Sequence, residues 1–195
     1  VCDFLNNMEA DFRIFHPHNS SIVKALLNNV EIIDNKEFIK EVLLRINSDN
    51  LVLLSPDAGS YKWISKLADN LEFTKEVISA SKSRKWEDGH SKLTQVLDKQ
   101  DFEGKDVLIL DDLLIGGGSM KGLSTLLKTK NVGKLYCAVS HITVQNLGED
   151  PVTNYFNKVF TTNSKFDSYI YKTMDKHHGV LDTLSQPKNL EIIKL

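Results

Sequence analysis

The sequence of 195 residues predicts an α/β fold, a mainly parallel sheet flanked by helices. Three observations predict it. Short unbroken apolar runs recur at residues 51–54, 107–110 and 135–139. They are too short for helices and have no polar alternation, as strands buried on both faces require. Segments between and beside these runs repeat their apolar residues at three- and four-residue spacing, the mark of amphipathic helices. Two of the runs end in acidic residues, then small residues, then a helical pattern, which is the strand–turn–helix order of a parallel sheet.

Composition bounds the function. With 26% charged and 41% hydrophobic residues the chain can bury an ordinary core. A net charge of −2 gives no general attraction to nucleic acid or to an acidic membrane. No apolar run is long enough to cross a bilayer. Cys2 and Cys137 are far apart and lack metal-ligand spacing, so they are expected to be free thiols in the reducing cytoplasm. The chain starts at Val1, and residues 1–7 look like the end of a helix, as expected for a portion of a longer protein.

Taken in order, Phe12, Ile14 and Phe15 suggest a strand that stops at His16-Pro17-His18-Asn19, where proline bars a helix. Asn19, Ser20 and Ser21 can cap a helix carrying Ile22, Val23, Leu26 and Leu27. Residues 30–33 are a short strand or extended link. Asp34 and Asn35 cap a helix whose stripe is Phe38, Ile39, Val42, Leu43 and Ile46. The strand at 51–54 ends in Ser55-Pro56-Asp57-Ala58-Gly59-Ser60, and Trp63, Ile64, Leu67 and Ala68 continue as a helix. Gly59 permits a positive φ or a close ligand approach. Asp57 is either a helix-capping aspartate or one wall of a site.

Val77 and Ile78 form a further strand. The charged stretch 79–90, with Lys82 and Arg84, is either a solvated loop or a lid bringing cations to a polyphosphate. Residues 93–97 would return it to the body. Leu123, Leu126 and Leu127 mark a helix, and the strand at 135–139 ends at Ser140-His141. Tyr155 and Phe156 sit on a short helix. Residues 159–162 read as an edge strand closing at Asn163 and Ser164, and 190–193 as the last strand. His177-His178 fits a surface pair better than a metal site.

The residues that carry chemistry lie at 107–119. Asp111 and Asp112 follow a buried strand at the place where open α/β sheets bind ligands. Gly116, Gly117, Gly118 and Ser119 let backbone N–H groups and a helix N-terminus approach a phosphate. Carboxylates repel phosphate, so the aspartates suit sugar hydroxyls or a charge-offsetting cation. A phosphorylated sugar satisfies both halves. The bland alternative is a tight turn capped by an aspartate pair.

These motifs together resemble the ribose-phosphate diphosphokinases, enzymes on the type I phosphoribosyltransferase fold. Residues 107–119 are similar to the phosphoribosyl-diphosphate binding motif, and 54–59 to the pyrophosphate loop that separates the diphosphokinases from other phosphoribosyltransferases. Lys82 and Arg84 sit where the family has its catalytic flexible loop. His16-Pro17-His18 sits where it has Asp-Leu-His, and residues 159–164 resemble its final strand and turn.

The resemblance implies Mg2+ and ATP as cofactor and co-substrate, and a ribose phosphate as acceptor. The anomeric oxygen attacks the β-phosphorus and AMP leaves. It further implies that His18, Asp57, Ala58 and Gly59 bind the nucleotide, that His18, Asp57 and Asp111 hold metal, and that Asp111 and Asp112 bind the ribose hydroxyls. Gly116, Gly117, Gly118 and Ser119 would take the 5′-phosphate, with Lys82 and Arg84 as the catalytic cations. A homo-oligomer with nucleotide sites between subunits is implied as well. Residues 1–34 would be the remnant of a preceding phosphoribosyltransferase-like domain, and 35–195 the domain that carries both loops.

Three departures stand out. The family's N-terminal half, with its Arg-Gln-Asp adenine loop, has no counterpart before Val1. His16 replaces an aspartate. Ile115 and Gly116 replace a polar Asp-Thr pair, which leaves room for a larger 5′ group such as that of ADP-ribose. The competing expectations are a phosphoribosyltransferase that consumes phosphoribosyl diphosphate and a non-catalytic regulatory relative.

Overall fold

A computed structural model of the chain describes residues 2–8, 10–87, 90–142, 150–164, 171–174, 181–184 and 187–194. In order, these residues build α1 (Cys2–Asn6), β1 (Phe12–Phe15), α2 (Ser20–Leu26), β2 (Val30–Ile33), α3 (Lys36–Ile46), β3 (Leu51–Ser55) and α4 (Ala58–Asn70). There follow β4 (Val77–Ser79), β5 (Ser81–Glu87), β6 (His90–Val96), β7 (Asp106–Leu114), α5 (Gly118–Lys128) and β8 (Leu135–Ile142). A 3-10 helix (Val152–Tyr155), β9 (Lys158–Thr162), β10 (Tyr171–Met174), β11 (Leu181–Leu184) and β12 (Leu190–Ile193) complete the chain.

The main sheet has six strands in the order β12-β9-β8-β7-β3-β4, and every neighbouring pair is parallel. Its central strands are apolar at successive positions because each face is covered by a different layer. Val52, Leu54, Val107, Ile109, Cys137 and Val139 pack with Met120, Leu123 and Leu127 of α5. The alternate residues Leu51, Leu53, Leu108, Leu110, Tyr136 and Ala138 pack with Phe38, Ile39 and Val42 of α3 and Ile64, Leu67 and Ala68 of α4. The period-two alternation of strands thus sorts one apolar run into two cores.

The order also fixes the site. From β3 the chain steps outward to β4, then returns to place β7 on the other side of β3 and grows onward through β8. The crevice between β3 and β7 is therefore the point where strand order reverses, and ligands of open α/β sheets bind outside the carboxyl ends there.

Several elements differ from the sequence expectation. The strand of 107–110 does not stop before the aspartates. It runs to Leu114, because β8 continues beside it and registers His141 against Leu113 and Ile142 against Leu114. Ser140 and His141 accordingly lie inside β8 rather than after it. Residues 159–162 are not an edge strand, since β12 pairs with β9 on the side away from β8. Residues 81–87, within the charged stretch, are a strand rather than a loop. β5 and β6 form an antiparallel hairpin that registers Lys82 against Gln95 and Arg84 against Leu93. Backbone pairing needs no apolar face, so a run of charges hid this strand.

The tail also forms an antiparallel pair, β10 with β11. His177 and His178 lie outside the described residues, as do the side chains of Lys82 and Arg84. β1 and β2 pair in parallel with each other. Among the described strands neither joins the main sheet.

Caps explain the local breaks. The Asn19 side chain accepts from the Ile22 N–H at 3.0 Å and starts α2. At α3 the capping acceptor is Asp34 Oδ1, 3.0 Å from the Lys36 N–H. Gly133, in the turn before β8, has no room for a side chain. A Cβ there would lie 2.4 Å from the Gly104 carbonyl oxygen, a backbone atom with no freedom to yield. Gly133→Ala is predicted to cost about 1–3 kcal/mol in urea unfolding. Gly118→Ala, whose Cβ meets open space, should stay within about 0.5 kcal/mol of wild type. Equal effects would contradict the packing described for Gly133.

Candidate functional site

Three stretches far apart in sequence meet at the carboxyl ends of β3 and β7. Asp57 follows β3 and caps α4. Its Oδ1 accepts from the Ser60 N–H at 3.0 Å and the Ser60 hydroxyl at 3.1 Å. The Ser55 hydroxyl holds the Asp57 carbonyl at 2.6 Å. The capping role weighed for Asp57 is thus present. Ala58 begins α4. Gly59 has no positive φ; instead it permits a close approach, as a Cβ there would sit 3.3 Å from Asp57 Oδ1. The positive φ falls at Gly117 (φ 69°), the residue that starts α5, and no side chain caps that helix. The first-turn N–H groups of α5 therefore have no side-chain acceptor from the cap position.

Asp111 lies on the α5 side of the sheet end, above Ile109. Burial pushes its carboxyl up to about 7. The Asp112 N–H, donated to Asp111 Oδ1 at 3.0 Å, works against this. The charges of Asp112 and Asp57 push it higher still. Asp57 and Asp111 are thus close enough for their charges to interact.

A cavity of about 650 Å3 opens beside Asp111, lined by Leu113, Leu114, Ile115, Gly116, Gly117, Gly118, Ser119, Met120 and Gly122. A second, of about 280 Å3, lies around Asp112 and is lined by His16, Pro17, His18, Ser20, Gly59, Ser60 and Trp63. His18 Nδ1 is hydrogen-bonded to Asp112 Oδ2. That bond, reinforced by the charges of Asp112, Asp111 and Asp57, raises the His18 pKa.

His16 carries no expected role beyond standing in the place of an aspartate, yet it fastens the corner that bears His18. Its backbone is left-handed, with φ 37°, unusual for a non-glycine residue. Its Nδ1 meets the Ser140 hydroxyl at 2.7 Å, and its ring packs edge-on against Trp63 at 5.2 Å. Burial drops its pKa to about 4, so the imidazole is neutral near pH 7. The His16 carbonyl accepts from His141 Nε2 at 3.1 Å, leaving His141 Nδ1 to accept from the Ser164 hydroxyl at 2.7 Å. Asn35 Nδ2 donates to the Ser140 hydroxyl at 3.3 Å. The adjacent Ser140-His141 pair at a strand end was the only trace of this clamp in the sequence.

The structure therefore brings His18, Asp57, Asp111 and Asp112 together, with the glycine loop alongside. Lys82 and Arg84 are fixed only as backbone positions on β5. Among the described residues no three His, Cys, Asp or Glu side chains stand close enough to hold a metal ion alone. The described helices include none long and apolar enough to cross a membrane.

The family model of the phosphoribosyl transferase domain matches residues 23–173, and the chain belongs to this family. Among curated relatives it is 29% identical over 119 residues to the ribose-phosphate pyrophosphokinase of Chlorobaculum tepidum, covering 60% of this chain and 35% of that protein. It is 29% identical over 138 residues to that of Aquifex aeolicus, covering 70% and 41%. The chain spans between about a third and a half of the length of the curated relatives it matches. In structure it is similar to phosphoribosylpyrophosphate synthetase from Mycobacterium smegmatis, with a TM-score of 0.69 and 21% identity over 99% of this chain and 57% of that one. The fold is thus of the type I phosphoribosyltransferase kind.

The raised Asp111 carboxyl makes a linkage prediction. Below about pH 4 the group is protonated folded or unfolded, and it costs nothing. Between about 4 and 7 the unfolded chain ionises while the folded one keeps its proton, so stability falls as pH rises. Asp111→Asn removes this loss. Its advantage over wild type in chemical unfolding should grow across that window to on the order of 4 kcal/mol above pH 8. A difference independent of pH would contradict the burial of this carboxyl.

Proposed function

We propose that this chain transfers a diphosphate group from Mg-ATP to the anomeric hydroxyl of a ribose whose 5′ position is phosphorylated, releasing AMP. The observation that supports this most is the shared cleft. Asp57, in the turn after β3, and Asp111, near the carboxyl end of β7, act on each other's charge at the switch point of the sheet, and one cavity is lined by Asp111 and another by the neighbouring Asp112. Similarity to ribose-phosphate pyrophosphokinases supports the same chemistry.

Each group has work to do in this scheme. Gly116 to Ser119 and the uncapped start of α5 hold phosphate oxygens on N–H groups. Asp111 takes a ribose hydroxyl. His18 and Asp57 suit a magnesium ion that arrives with the nucleotide, and Asp111 a second one beside the sugar, since Mg2+ keeps waters and phosphate oxygens and needs only one or two carboxylates. Bound Mg2+ would offset polyphosphate charge. Lys82 and Arg84 of the hairpin would neutralise charge that builds on the transferred group, the main device of phosphoryl-type transfer. Residues 1–34 are then the tail of a first phosphoribosyltransferase-like unit and 35–195 the second. A cytoplasmic homo-oligomer is part of the same proposal, in keeping with the free thiols of Cys2 and Cys137.

The acceptor cavity favours a ribose with an extended 5′ group, such as ADP-ribose, over ribose 5-phosphate. Its volume of about 650 Å3 falls in the range of roughly 300–1,000 Å3 that takes drug-sized ligands. A pentose phosphate is smaller than that. Among the described residues no Lys or Arg lines it, while Leu113, Ile115 and Met120 give it apolar wall. Ile115 is 55% exposed, an open apolar surface beside the loop. A terminal phosphate dianion wants a cation. A bridging diphosphate with a nucleoside beyond it can use the apolar surface.

Chromatographic assay of AMP formation from ATP with each acceptor tests this. At least tenfold higher kcat/KM with ADP-ribose is expected. Preference for ribose 5-phosphate would remove the extended acceptor, and no AMP with either would remove the diphosphotransferase. A transferase consuming phosphoribosyl diphosphate would make no AMP. Lys82→Ala should lower turnover by about a hundredfold or more with an unchanged unfolding midpoint. Unchanged turnover would remove the hairpin from the mechanism.

A further inference from the structure

We propose that the two adjacent carboxylates serve different ligands: Asp111 the sugar, and Asp112, paired with His18, the Mg-nucleotide. This rests on the diphosphotransferase reading and departs from what the resemblance implies, which gives both aspartates to the ribose. The ground is the pleat. β7 does not end before the pair but runs to Leu114, with Asp111 registered against Val139 of β8. Successive side chains of a strand point to opposite faces. Val107 and Ile109 belong to the α5 core, and Leu108 and Leu110 to the core of α3 and α4. Asp111 continues the first series and Asp112 the second, before the alternation breaks at Leu114, which joins the α5 core.

The cavities agree with that division. Asp111 lines the large one with the glycine loop, and Asp112 does not. Asp112 lines the smaller one with His18, Ser60 and Trp63, and Asp111 does not. Asp112 is also held from that side, by His18 Nδ1. One hydrogen bond, from the Asp112 N–H to Asp111 Oδ1, spans the divide and ties the two subsites at 3.0 Å. Each carboxylate then touches one substrate, and the short backbone step between them sets the spacing of sugar and nucleotide.

Calorimetric titration of the chain with Mg2+ plus α,β-methylene-ATP, which cannot transfer, and separately with ADP-ribose, tests the division. Asp112→Asn should weaken the nucleotide about tenfold and ADP-ribose less than twofold; Asp111→Asn should weaken ADP-ribose about tenfold. His18→Ala should weaken the nucleotide as Asp112→Asn does. The His18 side chain is 87% exposed, so its loss leaves folding intact if Asp112→Asn fails to fold. The proposal is overturned if Asp112→Asn weakens ADP-ribose as much as Asp111→Asn does, or if neither Asp112→Asn nor His18→Ala changes nucleotide affinity. The expected pattern in a chain that releases no AMP would uphold the division and defeat the transfer activity. AMP release with the inverse pattern would do the opposite.

Discussion

Asp111 is a carboxylate from which the fold has removed most of its water, set beside two further carboxylates. Ionising it there is unfavourable. A sheet does not assemble such a cluster to stabilise itself, and a cation or a set of hydroxyls relieves it. The position is imposed by topology. β7 is covered on both faces and flanked by β3 and β8, so its last residues cannot turn out into solvent without breaking the register that runs on to Leu114 and Ile142. The parallel arrangement puts the end of β3, with Asp57, at the same edge. The two acid-bearing strand ends then converge for the same reason that the sheet is parallel.

The third component arrives from outside the main sheet. β1, α2 and β2 contribute no strand to it, yet the corner after β1 carries His18 onto Asp112. What holds that corner is a polar clamp rather than apolar packing alone. The neutral His16 ring, the Ser140 hydroxyl and the His141 ring tie it to the end of β8, while Asn35 and Ser164 meet the remaining hydrogen-bonding atoms. Buried polar groups in a satisfied network fix one geometry where an apolar contact would tolerate several. The raised pKa of His18 and the lowered pKa of His16, two residues apart, follow from one being an exposed ring paired to the Asp112 carboxylate and the other being buried.

Much of this was legible in the sequence, and the misses have physical causes. The apolar runs at 51–54, 107–110 and 135–139 announced buried strands because consecutive apolar residues satisfy both faces. The ends of those strands were not legible. Asp111, Asp112, Ser140 and His141 are polar, and polarity reads as the end of a strand unless a neighbour is known to continue beside it. The hairpin of β5 and β6 was hidden because backbone pairing leaves no apolar signature. Of the site, Asp57, Asp111, Asp112 and the glycine loop showed themselves through position and order. The clamp did not, since His16 lies 124 and 125 residues from Ser140 and His141 and only the fold joins them. The assignment of the two aspartates to separate cavities needed the true length of β7, which the residue pattern understates.

The central claim is that Asp57 and Asp111 face one desolvated cleft. Its most direct test is an NMR titration of the Asp111 carboxyl carbon in the wild-type chain and in Asp57→Asn. The account predicts a midpoint near neutrality in the wild type and a lower one once the Asp57 charge is gone. A midpoint in the ordinary carboxylate range, or one indifferent to Asp57, would contradict it.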